Sequence, residues 1–147
     1  MTLFDRLTAA RAAGDMAGLA AAIPYAGWMG MAPEATTGEL LTRMRFDPML
    51  IGNTRLPALH GGTLGALLEM AAIFHLLWET ENAALPRIIN ITVDYLRSGR
   101  PVDTLAKATV TRLGRRVANV AVSAWQEDRN RPVASAQLHF LVTPPAG

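Results

Sequence analysis

The sequence contains no cysteine and only one lysine, Lys107, among its 147 residues. Without cysteine, the chain can form neither disulfide bonds nor thiolate metal sites, and this composition suits a reducing cytoplasm. The net charge is +2, and the arginines are spread along the chain without a dense basic block. Nucleic-acid-binding surfaces combine clustered basic residues with aromatic residues. We therefore predict no nucleic-acid partner and a cytoplasmic location.

Long uninterrupted apolar segments are also missing. The longest apolar run is broken by Glu69 and His75, so we expect neither a membrane span nor a membrane partner. The first residues lack the order of basic, apolar and cleavage regions that a signal peptide shows. The length suits one main domain, which we assign to residues 23–147, preceded by a helical extension over residues 1–22.

Apolar and polar residues alternate in patterns that predict secondary structure along most of the chain. An Ala- and Leu-rich segment over residues 3–22 predicts one helix, which ends before Pro24 because the residue before a proline avoids the helical region. Residues 47–60 contain prolines and a glycine and are predicted to form a loop. A period of two predicts strands over residues 38–46, 87–97, 103–112, 116–127 and 132–142.

One segment is apolar on almost every side. Glu69 is the only acid between Leu59 and Trp78, and we predict a buried helix from about Gly61 to about Thr80. Hairpin connections between the later strands predict an antiparallel sheet, and a helix that is apolar all round has to be wrapped by it. We therefore predict an α+β protein with the hotdog fold, in which an antiparallel sheet curls around a long central helix.

Two features of this helix are typical of a catalytic site. A buried carboxylate is costly without a partner, so Glu69 is a candidate general base or nucleophile, unless it reaches the rim or pairs with an arginine. Gly61 and Gly62 stand at the helix start, where backbone amides lack partners within the helix and carry the positive end of its dipole. Such amides stabilise the oxyanion that forms when a carbonyl is attacked.

The arrangement of these residues resembles a known motif. His60-Gly61-Gly62, followed after six residues by Glu69, is similar to the motif of PaaI-like acyl-CoA thioesterases, which are relatives of hydroxybenzoyl-CoA thioesterase. The later segments VDYLRSGRP, TRLGRR and VASAQLHFLV resemble the sheet of the same family. The resemblance implies an enzyme that hydrolyses an acyl-CoA thioester, with Glu69, Gly61 and His60 as catalytic residues.

The spacing within the helix indicates that the site needs two chains. Eight residues separate Gly61 from Glu69, which is about 12 Å along a helix axis. The two groups of one chain are therefore too far apart to act on the same carbonyl. The resemblance implies the same, since hotdog thioesterases combine the glycine amide of one chain with the acid of another. We predict a homodimer, assembled further into a dimer of dimers.

Residues around this centre are assigned to substrate binding. Gly62 lets the substrate approach the backbone closely. Asn53 is assigned through the resemblance, although the family's usual amide position holds Thr54 in this sequence. His60 either orients the loop through hydrogen bonds or contacts the substrate or the catalytic water.

Three arginines are assigned to the phosphates of CoA by the same resemblance. They are Arg97, Arg115 and Arg116, for which exposed surface charge is the alternative. No cofactor is predicted. His75 and Glu79 are spaced one helical turn apart, but a metal site needs three or four ligands, so we predict no metal.

Two other functions stay open. A hotdog hydratase or dehydratase would use His60 and Glu69 as an acid–base pair, but the HFPG segment of hydroxyacyl-ACP dehydratases is absent. A non-catalytic acyl-CoA-binding protein is the other alternative. A regulator of that kind would carry a DNA-binding helix-turn-helix, for which the residues before Ile23 are too few.

Overall fold

The structure is a computed structural model that describes residues 1–80 and 85–143. Three short helices come first: α1 (Leu3–Ala13), α2 (Met16–Ala21) and α3 (Pro24–Trp28). The prediction of a single helix over residues 3–22 is therefore wrong. Gly14 adopts a left-handed conformation with φ of 66°, and Asp15 caps α2 by accepting a hydrogen bond from the Gly18 amide at 2.9 Å. These two residues end one helix and start the next.

Six antiparallel strands form one sheet, namely β1 (Met31–Thr36), β2 (Glu39–Met44), β5 (Arg87–Tyr95), β6 (Thr104–Leu113), β7 (Val117–Trp125) and β8 (Ala134–Leu141). Their order across the sheet is β1-β2-β6-β7-β8-β5. A 3-10 turn (Pro48–Leu50) leads into a small hairpin of β3 (Ile51–Asn53) and β4 (Ala58–Leu59). The predicted strands are found within a few residues, but β1 and this hairpin were not predicted.

A long helix, α4 (Gly61–Glu79), crosses the concave side of the sheet and contacts all six of its strands. Its apolar residues, with Phe74 at the centre, form the core together with inward-facing residues of the strands. The helix is long and apolar enough to cross a membrane, but most of it is buried inside the protein, as expected of a core helix. A sheet wrapped around one helix is the hotdog fold, and this prediction is confirmed.

The N-terminal helices pack on the sheet edge that β1 forms. Leu7, Ala10 and Leu19 are buried in the same core as α4. Helices α2 and α3 both contact β1, so this edge of the sheet is covered. The division of the chain between residues 1–22 and residues 23–147 stays a prediction.

The other edge of the sheet is β5, which pairs only with β8 among the described strands. The sequence pattern led us to expect that successive strands form hairpins, but β5 and β6 are not neighbours. A bulge between Ile88 and Asn90 shifts the register, which leaves Ile89 56% exposed instead of facing the core. The exposed edge therefore carries apolar side chains and backbone groups without a strand partner in the described part of the chain.

Candidate active site

The hairpin of β3 and β4 delivers His60 to the start of α4. The His60 amide donates to the carbonyl of Leu50 at 2.8 Å, which fixes the backbone just before the helix. His60 is the N-cap residue, and its Nδ1 accepts a hydrogen bond from the Gly62 amide at 2.9 Å. The Gly62 amide therefore already has a hydrogen-bond partner within the protein. Because Nδ1 acts as an acceptor, the neutral ring carries its proton on Nε2.

The Gly61 amide is the free donor of this turn. As the first residue of α4, Gly61 has no carbonyl partner within the helix, and its N–H donates no hydrogen bond to any described residue. Gly61 is half-buried and Gly62 is exposed, so the positive end of the helix dipole is accessible at the surface. An amide in this position can accept the developing charge of an oxyanion.

Tyr95 lies beside this amide, at a position that the sequence motif does not indicate. It is the last residue of β5, and its hydroxyl donates to the Gly61 carbonyl at 3.0 Å. A Cβ atom on Gly61 would lie 3.3 Å from the Tyr95 ring, so glycine leaves the room that the ring occupies. The contact joins residues 34 positions apart, and no local sequence pattern indicates it.

Glu69 occupies the middle of α4, two turns after Gly61. Its side chain is half-buried, and it makes no hydrogen bond or ion pair with the residues that the structure describes. Burial raises the pKa of the Glu69 carboxyl above its ordinary value. Gly65 and Ala66, one turn earlier, are also partly exposed. The residues one turn before this carboxylate are therefore both small and partly accessible.

Asn53 has a local structural role in the hairpin. Its Oδ1 accepts hydrogen bonds from the amides of Arg55 at 3.0 Å and Leu56 at 3.3 Å, which closes the turn between β3 and β4. The side chain is exposed. The assignment of Asn53 to substrate binding stays a prediction.

The three arginines assigned to CoA lie at two opposite ends of the sheet. Arg97 follows β5 near Tyr95 and lines a cleft of about 280 Å³. Arg115 and Arg116 form the turn between β6 and β7, where together with Arg112 they line a cleft of about 590 Å³. None of these four arginines forms an ion pair with a described carboxylate.

The strand register gives the separation of these two ends. Tyr95 pairs with Ala134 at one end of β8, whereas Val117, next to Arg116, pairs with Leu141 at the other end. Seven residues of strand correspond to about 24 Å. The arginines of the β6–β7 turn are therefore remote from Gly61 of their own chain.

His75 and Glu79 face each other along α4, at the end away from Gly61. Burial lowers the pKa of His75, and Lys107 adds to this effect, whereas Glu79 opposes it. Within residues 1–80 and 85–143, no three histidine, aspartate or glutamate side chains come together as metal ligands.

Comparison with known proteins identifies the family. The profile of the thioesterase superfamily matches residues 56–133, which include α4 and three of the six strands of the sheet, β5, β6 and β7. The chain belongs to the thioesterase superfamily. The predicted resemblance and the prediction of a thioester hydrolase are thereby confirmed. The catalytic and binding roles of individual residues stay predictions.

Similar proteins come from several bacteria. The medium/long-chain acyl-CoA thioesterase YigI of Salmonella typhimurium is 32% identical over 109 residues, which are 65% of this chain and 70% of that protein. A crystal structure from Chromobacterium violaceum has a TM-score of 0.78 and 38% identity, covering 97% of this chain and 99% of that one. The phenylacetic acid degradation-related protein of Ralstonia eutropha shares the fold, with a TM-score of 0.76 and 23% identity over 96% of this chain and 100% of that one.

Proposed function

We propose that this thioesterase superfamily protein hydrolyses acyl-CoA thioesters in a site formed by two chains. The single observation that carries the proposal is a pair of unsatisfied groups on one helix. The Gly61 amide and the Glu69 carboxylate have no partners in the described residues, although α4 is otherwise a core helix. Burial disfavours the charged form of Glu69, and both groups are partly open to an incoming molecule, so a role in function explains their placement better than a role in stability.

The two groups divide the reaction between them. The thioester carbonyl oxygen accepts a hydrogen bond from the Gly61 amide, which stabilises the oxyanion as the carbonyl is attacked. Glu69, acting as base, takes a proton from the attacking water; acting as nucleophile, it forms an anhydride that water then hydrolyses. In both routes the C–S bond breaks, CoA leaves as a thiol, and the acyl group leaves as a carboxylic acid. A raised pKa makes Glu69 a stronger base than an exposed glutamate.

The open edge of the sheet supports a homodimer. Strand β5 exposes an unpaired edge with apolar side chains, which are Ile88, Ile89 and Tyr95, and it contains no proline that would block pairing. Antiparallel pairing of β5 with its copy gives a two-fold axis and continues the sheet across both chains. Because Tyr95 contacts Gly61, this edge lies beside the helix start, where the acid of a second chain is needed.

The same pairing explains the location of the β6–β7 turn. In an antiparallel β5 pair, the Arg87 end of one strand lies beside the Tyr95 end of the other. Since Arg115 and Arg116 lie at the Arg87 end, each chain would supply them to the site that contains the other chain's Gly61. Planar guanidinium groups without carboxylate partners suit the phosphates of CoA.

A proposal for the substrate class is supported by the similar protein of Salmonella typhimurium, whose name specifies medium- and long-chain acyl-CoA. We propose the same class here. The alternative of a hydratase requires His60 to take up a proton, but its Nδ1 is already engaged by the Gly62 amide. The geometry therefore favours hydrolysis.

The test is hydrolysis of a series of acyl-CoA esters from medium to long chain length, with an aromatic acyl-CoA for comparison. Because the protein contains no cysteine, a thiol reagent detects released CoA without background from the protein. We expect Glu69→Gln to lose at least 90% of wild-type turnover, a barrier increase of at least about 1.4 kcal/mol. Glu79→Gln, which changes an exposed acid on the same helix, is the matched control and is expected to keep wild-type turnover.

Two outcomes would contradict this assignment. If Glu69→Gln keeps more than about a tenth of the activity, Glu69 is neither base nor nucleophile. If the wild-type protein binds acyl-CoA but releases no thiol from any ester, the chain is a binding protein rather than an enzyme.

The shared site is tested by mixing inactive chains. Glu69→Gln and Gly61→Pro chains are unfolded together and refolded at equal amounts. Half of the dimers are then mixed, and each mixed dimer has one intact site, so activity is expected to return to about a quarter of wild type. If both variants fold and exchange subunits but the mixture stays inactive, each site belongs to a single chain.

Substitution of both Arg115 and Arg116 by alanine is expected to raise KM for acyl-CoA. A short thioester without the nucleotide should be hydrolysed as by the wild-type protein, because the proposed contact is with phosphate. An equal loss on both substrates would remove the arginines from the CoA site.

A further inference from the structure

The first turn of α4 is held by hydrogen bonds at almost every polar group except the Gly61 amide. We infer that Thr63 and Tyr95 are positioning residues: Thr63 fixes and polarises this amide as the oxyanion donor, and Tyr95 fixes the peptide that follows it. The inference rests on the proposed function. It concerns two residues that neither the motif nor the family resemblance assigns.

The peptide between His60 and Gly61 is held at its carbonyl. This oxygen accepts hydrogen bonds from both the amide of Thr63, at 3.0 Å, and the hydroxyl of Thr63, at 2.6 Å. The opposite end of the same peptide is the Gly61 N–H. Two donors on the carbonyl fix the plane of the peptide and thus the direction in which the N–H points.

The next peptide, between Gly61 and Gly62, is held at both ends. Its carbonyl accepts from the Tyr95 hydroxyl at 3.0 Å, and its N–H donates to His60 Nδ1 at 2.9 Å. With two consecutive peptide planes fixed, the Gly61 N–H is the one donor that stays available in this part of the described structure. Its direction is set before any substrate arrives, which is what preorganisation of an oxyanion site requires.

Thr63 also has an electronic effect on the donor. A hydrogen bond to a peptide carbonyl polarises that peptide and makes its N–H a stronger donor, by about 10–30% per bond. Loss of one oxyanion donor typically lowers kcat by about 100- to 1,000-fold. Between 10% and 30% of that effect, on the logarithmic scale, corresponds to a factor of about two to eight in kcat.

Tyr95 connects the amide to the sheet edge. Its ring lies 3.3 Å from the place that a Gly61 Cβ would occupy, and its hydroxyl lies 3.5 Å from the equivalent place at Gly65. The residue therefore covers the first turn of the helix from the end of β5.

The experiment is a set of double-mutant cycles with acyl-CoA hydrolysis as the readout. Thr63→Val, which removes one hydroxyl, is expected to lower kcat by about two- to eight-fold while KM stays near the wild-type value. Tyr95→Phe, which removes the other hydroxyl, is expected to lower kcat by a smaller factor, because its bond holds the following peptide and does not polarise the Gly61 N–H. Thr63→Ser keeps the hydroxyl and is expected to restore kcat. The Gly61→Pro variant has no N–H at this position. Adding either substitution to it should not lower kcat further, because the N–H through which Thr63 and Tyr95 are proposed to act is already absent.

Matched controls separate this role from a general effect on folding. Thr36→Val removes a hydroxyl that donates to the Glu39 carbonyl in the β1–β2 turn, and Tyr25→Phe changes an exposed tyrosine on α3. Both are expected to keep the wild-type kcat. Thermal unfolding of every variant reports whether it is folded at the assay temperature.

Three outcomes would overturn the inference. If Thr63→Val and Tyr95→Phe keep full kcat while Glu69→Gln is inactive, the proposed function stands and the positioning role is wrong. If the losses stay undiminished in the Gly61→Pro background, both residues act on something other than this amide. If the wild-type protein and its Glu69→Gln variant are equally inactive on all thioesters, the proposed function fails together with the inference.

Discussion

The two halves of α4 differ in what they present to their surroundings. The C-terminal half, from Met70 to Glu79, buries most of its side chains against the sheet, with Phe74 fully inaccessible. The N-terminal half contains Gly61, Gly62 and Glu69 on a partly open face, while its leucines still point inward. One helix thus combines core and candidate site along its length. Small residues, rather than a separate loop, create the space for chemistry.

The largest effect is expected in the C-terminal half. Phe74→Ala removes a fully buried aromatic side chain and should lower the free energy of unfolding by about 3–5 kcal/mol. Chemical denaturation measures this change. At a temperature where the variant is folded, kcat should stay near wild type, because Phe74 is a core residue. A selective loss of kcat in a stable variant would show that the two halves are not functionally distinct.

The second-largest effect is expected at the start of α4, where a substitution can remove a backbone N–H and so test the backbone rather than a side chain. Gly61→Pro removes the N–H, and proline is well tolerated at the first position of a helix. The preceding residue, His60, already has the extended conformation (φ −66°, ψ 133°) that proline requires before it. We expect kcat to fall by about 100- to 1,000-fold with the fold retained.

Gly61→Ala is the control for this variant, because it adds a Cβ atom but keeps the N–H. The Tyr95 ring has to move by a few tenths of an ångström to accommodate it. We expect Gly61→Ala to be at least about tenfold more active than Gly61→Pro. Equal activity of the two variants would contradict a role for the amide.

The smallest effect is a gain in stability. Gly65→Ala places a Cβ atom 3.5 Å from the Tyr95 hydroxyl, an ordinary contact, and should raise the free energy of unfolding by about 0.5–1 kcal/mol. The same change at Gly27, in α3, meets no atom within 4 Å and should stabilise by a similar amount. Only Gly65→Ala is expected to lower kcat/KM, since only Gly65 lies next to Glu69. Unchanged kcat/KM would show that the space at Gly65 is not used by the substrate.

The helix and the later strands were predictable because their signals are local. The start of α4 at Gly61 follows from the change from proline-rich loop to apolar helix, and β6, β7 and β8 follow from a period of two. Strand β1 was missed because Pro33 and the small residues around it give no alternation. Its extended conformation follows from pairing with β2, which no local pattern encodes.

The residues of the candidate site that lie close together in the sequence were predictable, and those brought together by the fold were not. His60, Gly61 and Glu69 belong to one continuous motif, whereas Tyr95 meets Gly61 only because the sheet brings β5 to the helix start. Thr63 could have been found, because a threonine three residues after an N-cap can donate to the N-cap carbonyl. The engagement of the Gly62 amide by the His60 ring depends on a side-chain orientation that the sequence does not specify.

The half-buried position of Glu69 links protonation to folding. Because burial raises its pKa in the folded protein, the folded state binds the proton more tightly than the unfolded chain does. Stability contributed by this group is therefore present below the ordinary glutamate pKa and is lost as pH rises through the raised value. The proposed reaction needs the ionised carboxylate, so turnover should increase over the same interval in which resistance to denaturation decreases. Protonation of Glu69 thus gives a more stable but inactive protein, and ionisation of Glu69 gives an active but less stable one.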